Sequence, residues 1–194
     1  MDTVSKEIYP LLPAQFRDRL PLNVRVSSQT TRVFRGALQV MPRVVNELFA
    51  LMSYVDGTDW QLWKLVATLY MIEKRIGPNS VRTAGEHIYS TMPWPPSVKS
   101  IEDALRFVQI AYLDAHMQAP TEVIGAWNVR SEQPGHMKLE DATPYPCHFC
   151  EGVVAGICSS FSQQRPAYAL AEAHRAKRAG GMATLYDVRY DPAS

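Results

Sequence analysis

The stretch that decides the fold is PCHFCEGVVAGIC, residues 146–158. Its apolar residues recur at the spacing of one helix face, which predicts a helix over residues 147–162. Two limbs follow, residues 167–174 and 182–190, separated by Gly180-Gly181. They predict a C-terminal hairpin behind this Cys-bearing helix, although the alanines of the first limb also suit a helix.

The chain in front of this stretch is mostly helical in pattern. Apolar spacing predicts helices over residues 32–55, 59–75, 80–91 and 101–117, the first of them bent at Pro42. Thr58 with Gln61, and Ser100 with Asp103, have the spacing of capping boxes at two of the helix starts. Residues 121–130 are β-rich and residues 135–139 form a candidate partner strand.

These elements predict an α+β fold with N-terminal helices packed on a small antiparallel sheet and a Cys-bearing helix before a C-terminal hairpin. Residues 1–31 contain scattered prolines and one candidate short strand at 23–26, so we expect an N-terminal arm. Residues 32–194 then form a single ligand-binding domain, a usual size for one domain.

Composition limits the classes of partner. The 194 residues are 46% hydrophobic and carry 20 basic against 19 acidic side chains, a net charge of +1. This balance predicts neither nucleic acid nor an anionic membrane surface as a partner. The chain has no apolar stretch long enough to cross a bilayer and begins without the pattern of a secretory signal, so we expect a cytoplasmic protein.

Cys147 and Cys150 open the decisive helix, where the helix N-terminus favours thiolate. Such a pair could bind zinc, could cycle as a dithiol, or could supply a nucleophile with His148 as base. Cys147, Cys150, His148 and Glu151 are therefore the candidate catalytic residues if the protein is an enzyme. The alternative is that these cysteines are small apolar residues at a helix contact.

A zinc site would need ligands beyond the two cysteines. Glu172 and His174 share one face of a predicted strand, so the candidate metal set is Cys147, Cys150, Glu172 and His174, with His136 as a further choice. The same pair could instead face solvent. The sequence does not determine the cofactor, and zinc is the leading candidate.

Aromatic residues are numerous enough to line an apolar pocket, although aromatics at helical spacing are more often core. His87 and His116 each lie in a predicted helix and more often represent hydrogen-bonded structure than ligands. A haem would require one such axial ligand in an apolar pocket.

From Ile76 to Tyr190 the order of features resembles the 4-vinyl reductase domain family, a relative in fold of the haem nitric-oxide-binding domains and of transport-particle subunits. The resemblance covers about three-fifths of the chain. The matching residues are Gly77, Arg82, Gly85, Gly125, Ala126, Trp127, Pro146, Cys147, Gly152, Gly156, Glu172, Gly180 and Gly181.

The resemblance implies a pocket for small aromatic or hydrocarbon-like ligands. In phenol-sensing members a zinc near the pocket is held by three cysteines and one glutamate. Cys147 or Cys150 would match the first cysteine and Glu172 the glutamate, whereas Arg175 and Ala183 stand where the remaining two ligands would be. Trp127 would match a pocket tryptophan, and Tyr168 or Leu170 would lie on the pocket side of the hairpin.

The leading hypothesis is a domain that binds a small hydrophobic or aromatic molecule in an internal pocket, as a free-standing sensor or carrier. The alternative is a hydrolase or biosynthetic enzyme that uses Cys147 or Cys150. A homodimer formed through a helix face is a third hypothesis. The candidate ligand-binding residues are Trp63, Tyr70, Tyr112, Trp127, Tyr168 and Leu170.

Overall fold

The structure is a computed structural model that describes residues 8–17, 20–39, 42–161, 168–174 and 180–190. Of residue 11 and residues 168–174 only the backbone is described. Among these residues, none of the helices combines the length and the apolar character that a bilayer crossing requires.

The N-terminal segment contains more helix than its sequence predicted. A 3-10 turn, Tyr9–Leu11, precedes helix α1 (Ala14–Arg17), strand β1 (Arg25–Val26) and helix α2 (Ser28–Ala37). Ser27 caps α2 through its hydroxyl, which accepts a hydrogen bond from the Thr30 amide at 3.2 Å. Leu12, Phe16 and Leu20 are buried and belong to the hydrophobic core.

The single bent helix predicted over residues 32–55 is wrong, because two helices occupy that region. After α2 ends at Ala37, helix α3 runs over Pro42–Leu51. Proline lacks an amide hydrogen and has a fixed φ, both of which suit the first position of a helix. Pro42 therefore starts a new helix instead of bending an old one.

The predicted capping box of Thr58 and Gln61 is also wrong. Helix α4 runs over Leu62–Ile76, and Gln61 stands at its N-cap without a side-chain capping bond. Trp60–Gln61 instead forms strand β2, antiparallel to β1, with Val26 opposite Trp60. The Gln61 side chain donates to the Leu22 carbonyl at 2.8 Å instead of capping the helix. As predicted, α4 is buried on most of its circumference.

Helix α5 (Pro78–Ser90) follows α4, and helix α6 (Ile101–Ala115) begins at the cap that was predicted. The Ser100 hydroxyl accepts from the Asp103 amide at 3.1 Å, and the Asp103 carboxylate accepts from the Lys99 amide at 3.1 Å. Residues 121–130 differ from the prediction at their start, where helix α7 (Thr121–Ile124) follows Pro120. Strand begins only after Gly125.

The sheet has four antiparallel strands in the order β3-β4-β6-β5. These are β3 (Trp127–Gln133), β4 (His136–Asp141), β5 (Tyr168–His174) and β6 (Thr184–Tyr190). Helix α8 (Cys147–Phe161) lies between β4 and β5 in the chain. The α+β class and the Cys-bearing helix before a C-terminal hairpin are confirmed.

Helices α5 and α8 pack backbone to backbone. A Cβ added to Gly152 would lie 2.0 Å from the Arg82 carbonyl oxygen, and one added to Gly156 would lie 2.4 Å from the Glu86 carbonyl oxygen. On α5, a Cβ at Gly85 would lie 2.3 Å from the Phe149 carbonyl oxygen. Only glycine permits this approach, so three glycines fix the position of α8 against α5.

Candidate functional site

The face of α8 beside this glycine contact borders a cavity of about 330 Å³. Helices α2, α5, α6 and α8 enclose it together with the start of β3. Its volume is at the lower end of the range for small-molecule sites. The described lining residues are Gln29, Thr30, Val33, Phe34, Ile88, Tyr89, Thr91, Met92, Pro93, Ala111, Tyr112, Ala115, His116, Trp127, Tyr145, Phe149, Cys150 and Val153.

The cavity has an open mouth and a buried floor. Gln29, Val33, Thr91 and Pro93 are exposed, whereas the aromatic residues deeper in the cavity are buried. Phe34 stacks on Phe149 at 5.0 Å between ring centroids and on Tyr145 at 5.7 Å. A ligand that enters between the exposed residues therefore meets aromatic rings.

His116 and Tyr145 form the polar part of the floor. The Nδ1 atom of His116 lies 2.5 Å from the Tyr112 carbonyl oxygen, and its Nε2 atom lies 2.9 Å from the Tyr145 hydroxyl. A carbonyl oxygen only accepts, so Nδ1 carries the hydrogen and donates. Nε2 of the neutral ring then accepts the Tyr145 hydroxyl hydrogen, which fixes both the tautomer and the ring orientation.

Burial keeps both of these groups uncharged. It lowers the pKa of His116 from 6.5 to about 4, although the hydrogen bond to the Tyr112 carbonyl opposes that shift. It also raises the pKa of the Tyr145 hydroxyl well above 10. Near pH 7 this end of the cavity therefore presents a neutral imidazole and a neutral phenol.

Cys150 lines another part of the cavity and is 1% exposed. Its Sγ atom lies 3.7 Å from the Thr143 hydroxyl oxygen, which is 2.6 Å from Oδ1 of Asp141. The Thr143 amide donates to the same carboxylate oxygen at 2.9 Å. A chain of hydrogen-bonding groups thus connects the cavity wall with a fully buried carboxylate.

Two of the other candidate catalytic residues, His148 and Glu151, are directed toward α4 and α5. His148 Nδ1 lies 3.0 Å from Glu73 Oε1, and Glu151 Oε1 lies 3.3 Å from Arg82 Nε. Cys147 is buried, and its carbonyl accepts a hydrogen bond from the Tyr186 hydroxyl at 3.2 Å. Of the four candidate catalytic residues, Cys150 is the one that lines the cavity.

The six candidate ligand-binding residues are distributed over three locations. Tyr112 and Trp127 line the cavity. Trp63 and Tyr70 lie in α4, where the Trp63 ring packs edge-on against Tyr9 at 5.4 Å between ring centroids. Burial raises the pKa of the Tyr70 hydroxyl, and the cysteines of α8 raise it further. Tyr168 and Leu170 belong to β5, whose side chains lie outside the description.

The metal site proposed from the sequence cannot be assembled from described side chains. Glu172 and His174 lie in β5, of which only the backbone is described. The metal set of Cys147, Cys150, Glu172 and His174 therefore stays a prediction. His136 pairs with Asp187 at 3.0 Å across the sheet. Among the described residues, no group of three or more His, Cys, Asp or Glu side chains is arranged to hold a metal ion.

Several residues that line the cavity or contact its wall were not predicted from the sequence. Phe34 lies on the apolar face of an amphipathic helix, and that pattern does not distinguish a cavity from a filled core. Thr143 and Tyr145 lie in the loop between β4 and α8, where the sequence has no periodicity. One available signal was the position of Tyr145, directly before the proline that precedes α8. Its partner His116 is 29 residues away, a separation that no local pattern spans.

Solved structures share this fold at low sequence identity. An H-NOX protein from S. oneidensis in the Fe(II)NO ligation state superimposes with a TM-score of 0.63 and 13% identity, over 85% of this chain and 99% of that one. For the NMR structure of an H-NOX domain from Shewanella oneidensis in the Fe(II)CO ligation state, the TM-score is 0.62 and the identity 11%, over 86% of this chain and 98% of that one. For an Fe(II) unliganded H-NOX mutant from K. algicida, the TM-score is 0.60 and the identity 11%, over 85% of this chain and 96% of that one.

No family model matches the sequence, and no curated protein matches it. The fold relationship implied by the resemblance to the 4-vinyl reductase family is confirmed, whereas membership of that family stays a prediction. By its helix order, its four-stranded sheet and these superpositions, the chain has the fold of the H-NOX proteins.

Proposed function

We propose that this protein binds a small, uncharged, mainly aromatic or hydrocarbon-like molecule in the cavity between α2, α5, α6 and α8. It would act as a sensor or carrier, in the cytoplasm and as a homodimer. The observation that carries the proposal is the composition of the cavity. None of its described lining residues is Asp, Glu, Lys or Arg.

The chemistry of this lining favours neutral ligands over ions. Transfer of a charged group from water into an apolar site is costly unless an opposite charge meets it there. The nearest titratable groups of the floor, His116 and Tyr145, are held neutral by burial. Apolar ligand area would supply most of the binding free energy, at about 25 cal/mol for each Å² removed from water.

The floor also offers a means of orienting the ligand. The Tyr145 oxygen donates its hydrogen to His116, but a hydroxyl oxygen retains lone pairs that can accept. The aromatic rings of Phe34, Phe149 and Trp127 line the same cavity. A flat ligand with one polar group at its edge suits this arrangement, because a few fixed polar groups commonly set orientation in an apolar pocket.

The structural neighbours include H-NOX proteins in the Fe(II)NO and Fe(II)CO ligation states, so haem requires a test of fit. Haem iron takes an axial ligand such as His or Cys. Both ring nitrogens of His116 are already engaged, and the Cys150 thiol lies beside the Thr143 hydroxyl. No Lys or Arg among the described lining residues would meet the two haem carboxylates. These residues do not fit haem.

The assignment of catalysis to Cys147, Cys150, His148 and Glu151 stays a prediction. Catalysis would require a base within hydrogen-bond reach of the nucleophile. The Nδ1 atom of His148 is engaged by Glu73, on the α4 side of α8. We therefore place binding first.

Thermal unfolding with matched neutral and charged ligands tests the proposal. We would use 4-phenylbutan-2-one, indole and naphthalene as neutral aromatics, and 4-phenylbutanoate as the charged counterpart of the ketone. A ligand at 100 times its Kd stabilises by about 2.7 kcal/mol. For a chain of this size, such a gain raises Tm by roughly 5 to 10 °C. We expect this shift with a neutral ligand and none with 4-phenylbutanoate.

A pair of neighbouring substitutions on α6 locates the binding. Ala111→Phe would fill the cavity that Ala111 lines, and Ile110→Phe would place the same side chain at a position that is 53% exposed and outside the lining. The Tm shift should disappear in Ala111→Phe and persist in Ile110→Phe. Absence of a shift with every neutral ligand, or an equal shift in both variants, would contradict the proposal.

A further inference from the structure

We propose that the cavity is also a covalent trap, in which the Cys150 thiol adds to the carbon–carbon double bond of an uncharged α,β-unsaturated ketone. The inference rests on the proposed function, since the cavity must first hold the apolar part of that molecule. The observations behind it are the position of Cys150 on the cavity wall and its connection to Asp141 through Thr143.

The direction of the hydrogen bonds follows from what each group can donate. One oxygen of the Asp141 carboxylate accepts hydrogen bonds from the Thr143 amide at 2.9 Å and from the Thr143 hydroxyl at 2.6 Å. The Thr143 hydroxyl hydrogen is therefore committed to Asp141. Its oxygen is left to accept from the Cys150 thiol, 3.7 Å away.

The position of Cys150 in its helix assists the same reaction. It is the fourth residue of α8, so it lies within the first turn, where the helix dipole favours negative charge on sulfur. Cys150, Thr143 and Asp141 are all buried. Proton transfer within this group would therefore take place away from bulk water.

The step balances without any further reactant. Thr143 passes its hydroxyl proton to Asp141 and takes the thiol proton from Cys150, while sulfur forms a bond to the β-carbon of the enone. The π electrons of the double bond move to give an enolate. Its α-carbon then takes a proton from the Thr143 hydroxyl, which recovers one from Asp141, so both groups return to their starting state. The net change is addition of S–H across C=C, so the protein gains the full mass of the ligand.

The remaining cysteines provide internal controls. Burial raises the pKa of Cys158 to about 12, which keeps that thiol protonated and unreactive. Cys147 is not among the described lining residues of the cavity. Addition directed by the cavity should therefore select Cys150 among three buried cysteines.

Intact-mass spectrometry and peptide mapping after incubation with 4-phenylbut-3-en-2-one test this inference. We expect one adduct of full probe mass on Cys150, lost in Cys150→Ser and retained in Cys147→Ser and Cys158→Ser. Thr143→Val removes the relaying hydroxyl at nearly constant shape and should slow the addition about 100-fold, a common contribution of positioned proton transfer. Thr143→Ser keeps the hydroxyl and should restore most of the rate.

The saturated ketone, 4-phenylbutan-2-one, separates this inference from the proposed function. It should raise Tm and slow the labelling by competition, without adding mass. Stabilisation by the saturated ketone with no adduct on Cys150 would overturn the covalent inference and leave the binding function in place. Labelling spread evenly over the three cysteines, or unchanged in Thr143→Val, would also overturn it. Absence of both stabilisation and labelling would count against the binding function itself.

Discussion

Two faces of helix α8 differ in how closely they are packed. Toward α5, three glycines allow backbone contacts so close that any added Cβ would lie 2.0 to 2.4 Å from a carbonyl oxygen. Toward α2 and α6, the same helix presents Phe149, Cys150 and Val153 to a cavity of about 330 Å³. A helix fixed rigidly on one face can border an unfilled space on the other without collapsing into it.

The comparison predicts its largest effect at the glycine contact. Gly152→Ala would place a Cβ 2.0 Å from the Arg82 carbonyl oxygen and 2.9 Å from the Glu86 amide, so α5 and α8 must separate. Overpacking of this kind costs about 3 kcal/mol, here against backbone atoms that cannot rotate away. Urea unfolding measures the loss.

Gly36→Ala is the matched control, because Gly36 lies within α2 and a Cβ there would meet nothing within 4 Å. It should stabilise the protein by about 0.5 kcal/mol through helix propensity. A loss of stability in Gly152→Ala no larger than the change in Gly36→Ala would show that the two faces of α8 do not differ as described.

The second prediction concerns the cavity face and pH. In the unfolded chain His116 takes up a proton near pH 6.5, whereas in the folded chain its pKa is lowered to about 4. Between these values the unfolded state binds more protons, so stability is lost as pH falls and the loss is complete below about pH 4. The shift corresponds to a loss on the order of 3 kcal/mol.

Urea unfolding at several pH values should show this slope in the native protein and a reduced slope in His116→Gln. The comparison with the variant separates the contribution of His116 from those of the other four histidines of the chain. Identical slopes for the two proteins would contradict a buried neutral His116.

The smallest effect is expected at two adjacent valines. Val154 is fully buried in the core, and Val153 is 2% exposed but borders the cavity. Deletion of buried methyl groups costs more where close packing surrounds them, so Val154→Ala should cost about 2 kcal/mol and Val153→Ala about 1 kcal/mol. Affinity for 4-phenylbutan-2-one, measured by thermal shift, should change in Val153→Ala and stay the same in Val154→Ala. An equal loss of stability in both variants, with unchanged ligand affinity, would contradict the placement of Val153 at the cavity.

Much of the fold follows from local patterns. The helix after Pro146, the hairpin behind it and the Ser100 cap were predicted correctly, because each depends on residues within a few positions of one another. The errors share a cause as well. Pro42 and Gln61 were interpreted from sequence spacing alone. In the structure Pro42 starts a helix, and Gln61 pairs with β1 as part of strand β2.

The site was less predictable than the fold. Tyr112 and Trp127 were proposed as ligand-binding residues from their aromatic character, and both line the cavity. Trp63 shares that character but packs against Tyr9 in the core. Aromatic composition cannot separate these cases, since a ring that lines a cavity and a ring that fills a core have the same periodicity.

The sequence by itself determined the α+β class, the order of helices first and strands later, and the Cys-bearing helix before a C-terminal hairpin, since periodicity and turn chemistry act over short distances. Only the tertiary structure decided that His116 is neutral and bound to Tyr145, and that Cys150 faces a cavity and connects to Asp141 through Thr143. These properties depend on burial and on partners from separate elements, which exist only once the chain has packed.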